Sequence, residues 1–158
     1  MRVRAAGAAD RGWLESFLAE HNSLRVARGG ELVAPLDHPM LIAETGAGPP
    51  AGLLTYIERE RDCEILTLHA VRPWAGAGSE LIAAIRDLAA SRGCRRLWVV
   101  TTNDNVDALR FYQRRGFRLA ALRPGAVDES RRSLKPEIPE AGDYAIPLRD
   151  ELELEIRL

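Results

Sequence analysis

Gly76-Ala77-Gly78 stands between an apolar run ending near Val71 and an apolar stripe at helical spacing formed by Leu81, Ala84, Ile85 and Leu88. Strand, glycine loop, helix is an order that can hold an anion. Glycine lets the main chain approach a ligand closely. The first N–H groups of a helix have no helical partners, and the helix dipole favours negative charge beside them. A tight turn that only packs helix on sheet fits the same residues equally well. Two phosphate-binding patterns are excluded. A dinucleotide fingerprint needs a third glycine where Leu81 stands, and a P-loop needs lysine after its last glycine, where Ser79-Glu80 follows Gly78.

Other side chains could move protons. A phenol titrates near ~10, so Tyr112 would carry its proton at neutral pH. On its own, Phe111-Tyr112 on an amphipathic helix reads as core packing. Glu64 lies on the strand that leads into the glycine loop. Strict alternation places it on a face with Leu66, Leu68 and Ala70, where a carboxylate either borders a cleft or pairs across the strand with Arg59 or Arg61. His69 titrates in a useful range, and the same alternation points it to the face opposite Glu64. His21 and His38 are assigned no role. Cys63 and Cys94 lack metal or redox spacing and read as packing groups of a reduced, cytoplasmic protein.

The elements that must position these groups follow from period and punctuation. Arg2–Ala5 reads as a strand, and Asp10 as the cap of a helix carrying Trp13, Leu14, Phe17 and Leu18. Residues 25–39, broken by Gly29-Gly30, Pro35 and Pro39, read as irregular. Met40–Glu44 is a strand, and Ala51–Glu58 with Asp62–Val71 a hairpin turning at Arg59–Arg61. The helix opening near Ser79 ends at Gly93. Arg95–Thr102 is a strand, Asn103, Asp104 and Asn105 suit a helix start, that helix ends at Gly116, and Phe117–Leu122 is a strand. Residues 123–149 hold four of the nine prolines and read as a long loop with one helical turn around Asp128–Leu134. In that loop Asp128 and Glu129 could meet an amine. Glu151–Leu158 alternates strictly, so its acids should face solvent or a basic neighbour.

A second motif joins the glycine loop. Asn105-Val106-Asp107-Ala108-Leu109-Arg110-Phe111-Tyr112-Gln113-Arg114-Arg115-Gly116-Phe117 resembles the GNAT N-acetyltransferase pattern Asn-x-x-Ala-x-x-Phe/Tyr-Tyr-x-x-x-Gly-Phe at every position, and it follows the Gly-x-Gly loop at the family's separation. The pair spans residues 63–122. The resemblance implies a mixed, mostly antiparallel central sheet with helices on both faces, with the strands around Val71 and Val100 parallel and splayed. It implies acetyl-CoA as acyl donor, its pyrophosphate on the main chain of Trp74, Ala75, Gly76, Ala77, Gly78 and Ser79. Leu68 and Ala70 would meet the pantetheine arm and the acetyl carbonyl through backbone amides. Asn105, Ala108 and Tyr112 would lie beside the arm, with Tyr112 as proton donor to the leaving thiolate and Glu64 as base. The family's first loop position, usually Gln or Arg, is Pro73 here. Trp74 and Ala75 follow, where glycine and a basic residue are common.

The implied activity is transfer of acetyl to a primary amine, on a small molecule, protein or peptide, by direct attack in a ternary complex. A non-catalytic acyl-CoA sensor on the same fold and a nucleotide-binding regulatory domain are the competing classes. The remaining bounds come from composition. The chain has 158 residues, 46% hydrophobic and 28% charged, with a formal net charge of −1. That suits one domain, residues 1–158, with a real core. It argues against nucleic acid as partner. The apolar runs are too short for a membrane span, and a homodimer is compatible with the resemblance.

Overall fold

The computed structural model describes all 158 residues, Met1–Leu158. In chain order the elements are β1 (Arg2–Ala5), α1 (Arg11–Glu20), β2 (Val26–Arg28), β3 (Glu31–Val33), β4 (Met40–Glu44), β5 (Gly52–Arg59), β6 (Asp62–Ala70), α2 (Ala77–Ser91), β7 (Arg96–Thr102), α3 (Val106–Gln113), β8 (Arg118–Arg123), α4 (Ala126–Ser133) and β9 (Glu151–Arg157). Two compact units form: Met1–Arg25, Ala34–Leu97 and Leu158 make the first, and Val26–Val33 with Trp98–Arg157 the second. The sheet is mixed and mostly antiparallel, as the resemblance implied, and there are four α-helices, α4 standing where one helical turn was expected.

In the first unit the strand order is β1-β4-β5-β6, each neighbour antiparallel. Residues directly opposite share a face, so Ile42, Leu53 and His69 line one side. Helix α1 covers that side: Leu14, Phe17 and Leu18 pack with Met40, Ile42 and Leu53. Leu18, Ile42 and Leu53 lose all solvent contact, and each such burial is worth about 1.5–3 kcal/mol. The opposite side belongs to α2. Gly52 lies under it so closely that a Cβ there would stand 2.9 Å from the His69 carbonyl oxygen, 3.1 Å from Leu81 Cδ1 and 3.3 Å from Ala77 Cβ. Helices therefore cover both faces of this sheet.

Asp10 does not cap α1. Its carboxylate accepts the Gly7 N–H at 2.7 Å and two bonds from Arg4 at 2.8 Å, closing the short 3-10 turn Ala8–Asp10 instead. The guanidinium and the Gly7 N–H hold its pKa down to about 2.

The second unit corrects three expectations. Gly29-Gly30, read as breakers, are the two-residue turn of a β2–β3 hairpin, with φ of +58° and +79° and Arg28 opposite Glu31. Paired left-handed residues are what a tight hairpin needs. On β9 Glu153 has the basic neighbour the alternation allowed, Arg123, and the correction falls on Glu151. Glu151 is only 2% exposed and accepts the Gly29 N–H at 3.1 Å, while Glu153 pairs with Arg123 at 2.8 Å. The stretch 123–149 is built rather than loose. It contains α4 and a 3-10 turn at Asp143–Ala145. Arg131 gathers it, donating to the carbonyls of Ile138 at 3.0 Å and of Pro139 and Leu148 at 2.8 Å. Asp128 pairs with Arg131, and Glu129 with Arg132 and Ser133, so both carboxylates are engaged within the helix. No helix is long and apolar enough to cross a membrane.

Candidate active site

β6 is not a regular strand. Thr67 lies opposite Thr55, but Tyr56 lies opposite Ile65, so Leu66 is an extra residue with no partner on β5. A bulge of this kind re-aims the side chains beyond it. Glu64 is opposite Ile57, and β5 alternates regularly through Ile57, Thr55 and Leu53. Glu64 therefore shares the α1 face with Thr67 and His69, not the face of Leu68 and Ala70. The strict-alternation reading fails at Leu66, and with it the separation of Glu64 from His69. Glu64 is 4% exposed. Thr67 donates to Thr55 Oγ1 at 2.9 Å on the same face. The His69 ring meets Phe17 and His21, with centroids at 5.8 and 4.8 Å. Its Nε2 is buried without a hydrogen-bond partner. Burial, then the His21 charge, lowers its pKa to about 4.

The main chain of β6 is also decided by register. Val71 N donates to the Ala51 carbonyl at 2.9 Å. Antiparallel ladders alternate between bonded and non-bonded pairs. The bonded pairs are then Val71–Ala51, His69–Leu53 and Thr67–Thr55, and the amides of Leu68 and Ala70 turn away from β5.

A turn follows the strand. Ala75 N donates to the Arg72 carbonyl at 3.4 Å, Pro73 takes the second position, and Trp74 the third with φ +67°. Proline presets the second position of a type II turn, and the third requires positive φ, which glycine adopts freely. Pro73 thus serves the turn, and its missing N–H is one the turn does not use. Trp74 sits there against the steric preference of an L-residue, at a cost of about 1–2 kcal/mol. Gly76, φ +93°, then turns the chain into α2. No side-chain hydrogen bond caps α2 at Gly76. Arg72 through Gly76 are exposed, Ala77 is buried, and Gly78 and Ser79 are half-buried.

In the second unit, Asn105 caps α3: its Oδ1 accepts the Ala108 N–H at 3.1 Å. The Ala108 amide is thereby taken, and the Asn105 side-chain NH2 is not part of the cap. Tyr112 lies one turn beyond Ala108 on the same helix face. It is 5% exposed, with edge contacts to the Phe111 and Phe117 rings, each at 5.2 Å. Burial pushes its pKa above the usual phenol value, so it keeps its proton at neutral pH. Glu64, Leu68, Ala70 and residues 74–79 belong to the first unit; Asn105, Ala108 and Tyr112 belong to the second.

The family model for acetyltransferases of the GNAT family matches residues 11–117, from α1 to the end of the α3 motif. The chain belongs to the GNAT acetyltransferase family. Its curated relatives include the uncharacterized proteins YdhI and YxbD of Bacillus subtilis. YdhI is 42% identical over 106 residues, which is 67% of this chain and 66% of YdhI. YxbD is 46% identical over 101 residues, 64% of this chain and 63% of YxbD. The match thus spans just under two thirds of each relative's length. Among solved structures, a GNAT acetyltransferase from Elizabethkingia anophelis with acetyl-CoA bound superposes with TM-score 0.70 at 16% identity, covering 99% of this chain and 97% of that one. A Bacillus subtilis acetyltransferase in complex with CoA gives 0.72 at 17%, covering 99% and 98%. An IAA acetyltransferase from Bacillus cereus gives 0.74 at 20%, covering 99% and 100%. At these identities the likeness is one of fold.

The residues of this GNAT chain suit a CoA donor on their own geometry. An uncapped helix start behind a left-handed glycine offers main-chain donors to a diphosphate. The Leu68 and Ala70 amides point off β5.

Proposed function

We propose that this protein transfers the acetyl group of acetyl-CoA to a primary amine by direct attack in a ternary complex. One observation carries the reading: the strand whose Leu68 and Ala70 amides turn away from β5 runs straight into a left-handed glycine corner and an uncapped helix.

Acetyl-CoA, when bound, supplies an activated acyl group and a thiolate leaving group. The first-turn amides of α2 hold the diphosphate against the positive end of the helix dipole. The Leu68 and Ala70 amides orient the pantetheine arm and polarise the acetyl oxygen, which is where negative charge develops. Tyr112 holds its proton for the departing sulfur. Glu64, on the α1 face, takes the proton of the incoming ammonium group, directly or through a water molecule, and leaves the amine neutral for attack. The amine acceptor is a small molecule or a protein or peptide.

A panel of amines incubated with acetyl-CoA, read by release of free thiol, tests the activity. Tyr112→Phe should lower kcat about 100-fold with CoA affinity retained. CoA binding with no thiol release for any amine would instead favour a non-catalytic acyl-CoA sensor.

A further inference from the structure

We propose that the cavity at the start of α1 binds a small apolar monocarboxylate, with the carboxylate on Arg11 and His38 and the hydrocarbon body on Leu14, Leu36 and Met40. None of the residues read above for acetyl-CoA lines this cavity, and the inference does not rest on that reading.

The cavity measures about 240 Å³ and lies within the first unit, where the chain passes from β1 into α1 and later returns into β4. Its floor belongs to the α1 core: Leu14 and Met40 are buried, and Ala6 and Leu36 pack against them. Such a floor favours a hydrocarbon over the water it displaces. The polar side chains that line the cavity are those of Arg11 and His38, both N–H donors, and no carboxylate lines it. The nearby main-chain acceptors are already used. The carbonyls of Gly7, Pro39 and Met40 accept from the amides of Asp10, Tyr56 and Ala6, that of Ala8 from the Arg11 amide, and that of Leu36 from the Arg11 guanidinium. Arg11 is held from two sides, Nε donating to Glu15 at 3.0 Å and Nη1 to the Leu36 carbonyl at 3.5 Å, and its Nη2 makes no bond within the chain. The Arg11–Glu15 pair is exposed on both sides, so sharing the guanidinium with a second carboxylate costs little. Donors above an apolar floor call for an acceptor-only head on a hydrocarbon body, and a carboxylate on an arginine is the strong form of that contact. The volume lies below the roughly 300–1,000 Å³ of pockets for drug-sized ligands, so the acid is of the size of benzoate.

The test titrates benzoate into the full chain and follows backbone amide NMR shifts. Saturating shifts at Ala6, Gly7, Ala8 and Arg11 are expected, with Kd below about 10 mM. Benzamide has the same shape without the charge, and acetate has the charge without the hydrocarbon; each should bind about tenfold more weakly. Arg11→Gln and His38→Leu should each weaken benzoate about tenfold, with the amide spectrum of the rest of the chain showing the fold intact. Saturating CoA should leave the benzoate shifts in place. Absence of saturation, equal affinity for benzoate and benzamide, full affinity in Arg11→Gln, or displacement of benzoate by CoA overturns the site. Failure of the chain to bind CoA overturns the acetyl-CoA reading and leaves this site standing.

Discussion

Glu64 and His69 stand five residues apart on β6 and share one face, because Leu66 between them has no partner on β5. In a regular strand an odd separation sends two side chains to opposite faces. The bulge places the carboxylate on the side covered by α1, while the Leu68 and Ala70 side chains stay on the α2 side.

That placement predicts separable roles. Glu64→Gln should lower kcat about 100-fold while KM for acetyl-CoA stays within about twofold. Steady-state kinetics with acetyl-CoA as the varied substrate reads both constants.

His69 should make the fold acid-sensitive. Its native pKa is lowered to about 4 from 6.5. Between those values the unfolded chain binds the proton and the folded chain does not, so stability is full above 6.5 and falls as pH drops toward 4. Asp10, held down to about 2 from 3.8, adds a further loss below that range. Urea midpoints across this range should show the decline, and His69→Gln should flatten its upper part.

Gly52→Ala should destabilise by about 1–3 kcal/mol, because the new methyl meets a backbone carbonyl and two α2 side chains with no room to shift. Any relief must come from lifting α2 off the sheet. CoA affinity should therefore fall together with the urea midpoint, whereas the same change at Gly48, which has only one neighbour within 4 Å, at 3.7 Å, should do neither.

Arg131→Leu should release the segment 134–148. It removes three bonds to carbonyls and the pairing with Asp128. Orphaning such groups costs about 1–3 kcal/mol each when they stay buried. Limited proteolysis should find new cleavage sites in 134–148 well before global unfolding, and Arg131→Lys should not restore protection, since one ammonium cannot span the same acceptors.

Local signals were legible in the residues themselves. The α1 and α2 stripes and the Gly93 stop stand where spacing and residue type place them, and of the three residues suited to start α3 the structure selects Asn105. The glycine corner and the α3 motif were legible as a pair, and their order marked the family. Gly29-Gly30 was legible in principle as a hairpin turn, but strands of only three residues on either side hid the pairing. Trp74 gave no hint of its left-handed backbone, because nothing in its type favours one.

What the order of residues determined by itself is therefore whatever depends on neighbours along the chain: helical period, caps, turns and the glycine loop. The tertiary structure decided what depends on a partner strand or a distant carbonyl. It set the bulge at Leu66 and the face of Glu64, buried Glu151 against the Gly29 amide, and drew 138–148 onto Arg131. The reason is that strand register and buried polar pairing are settled by hydrogen bonds between residues far apart in sequence, which no local pattern specifies.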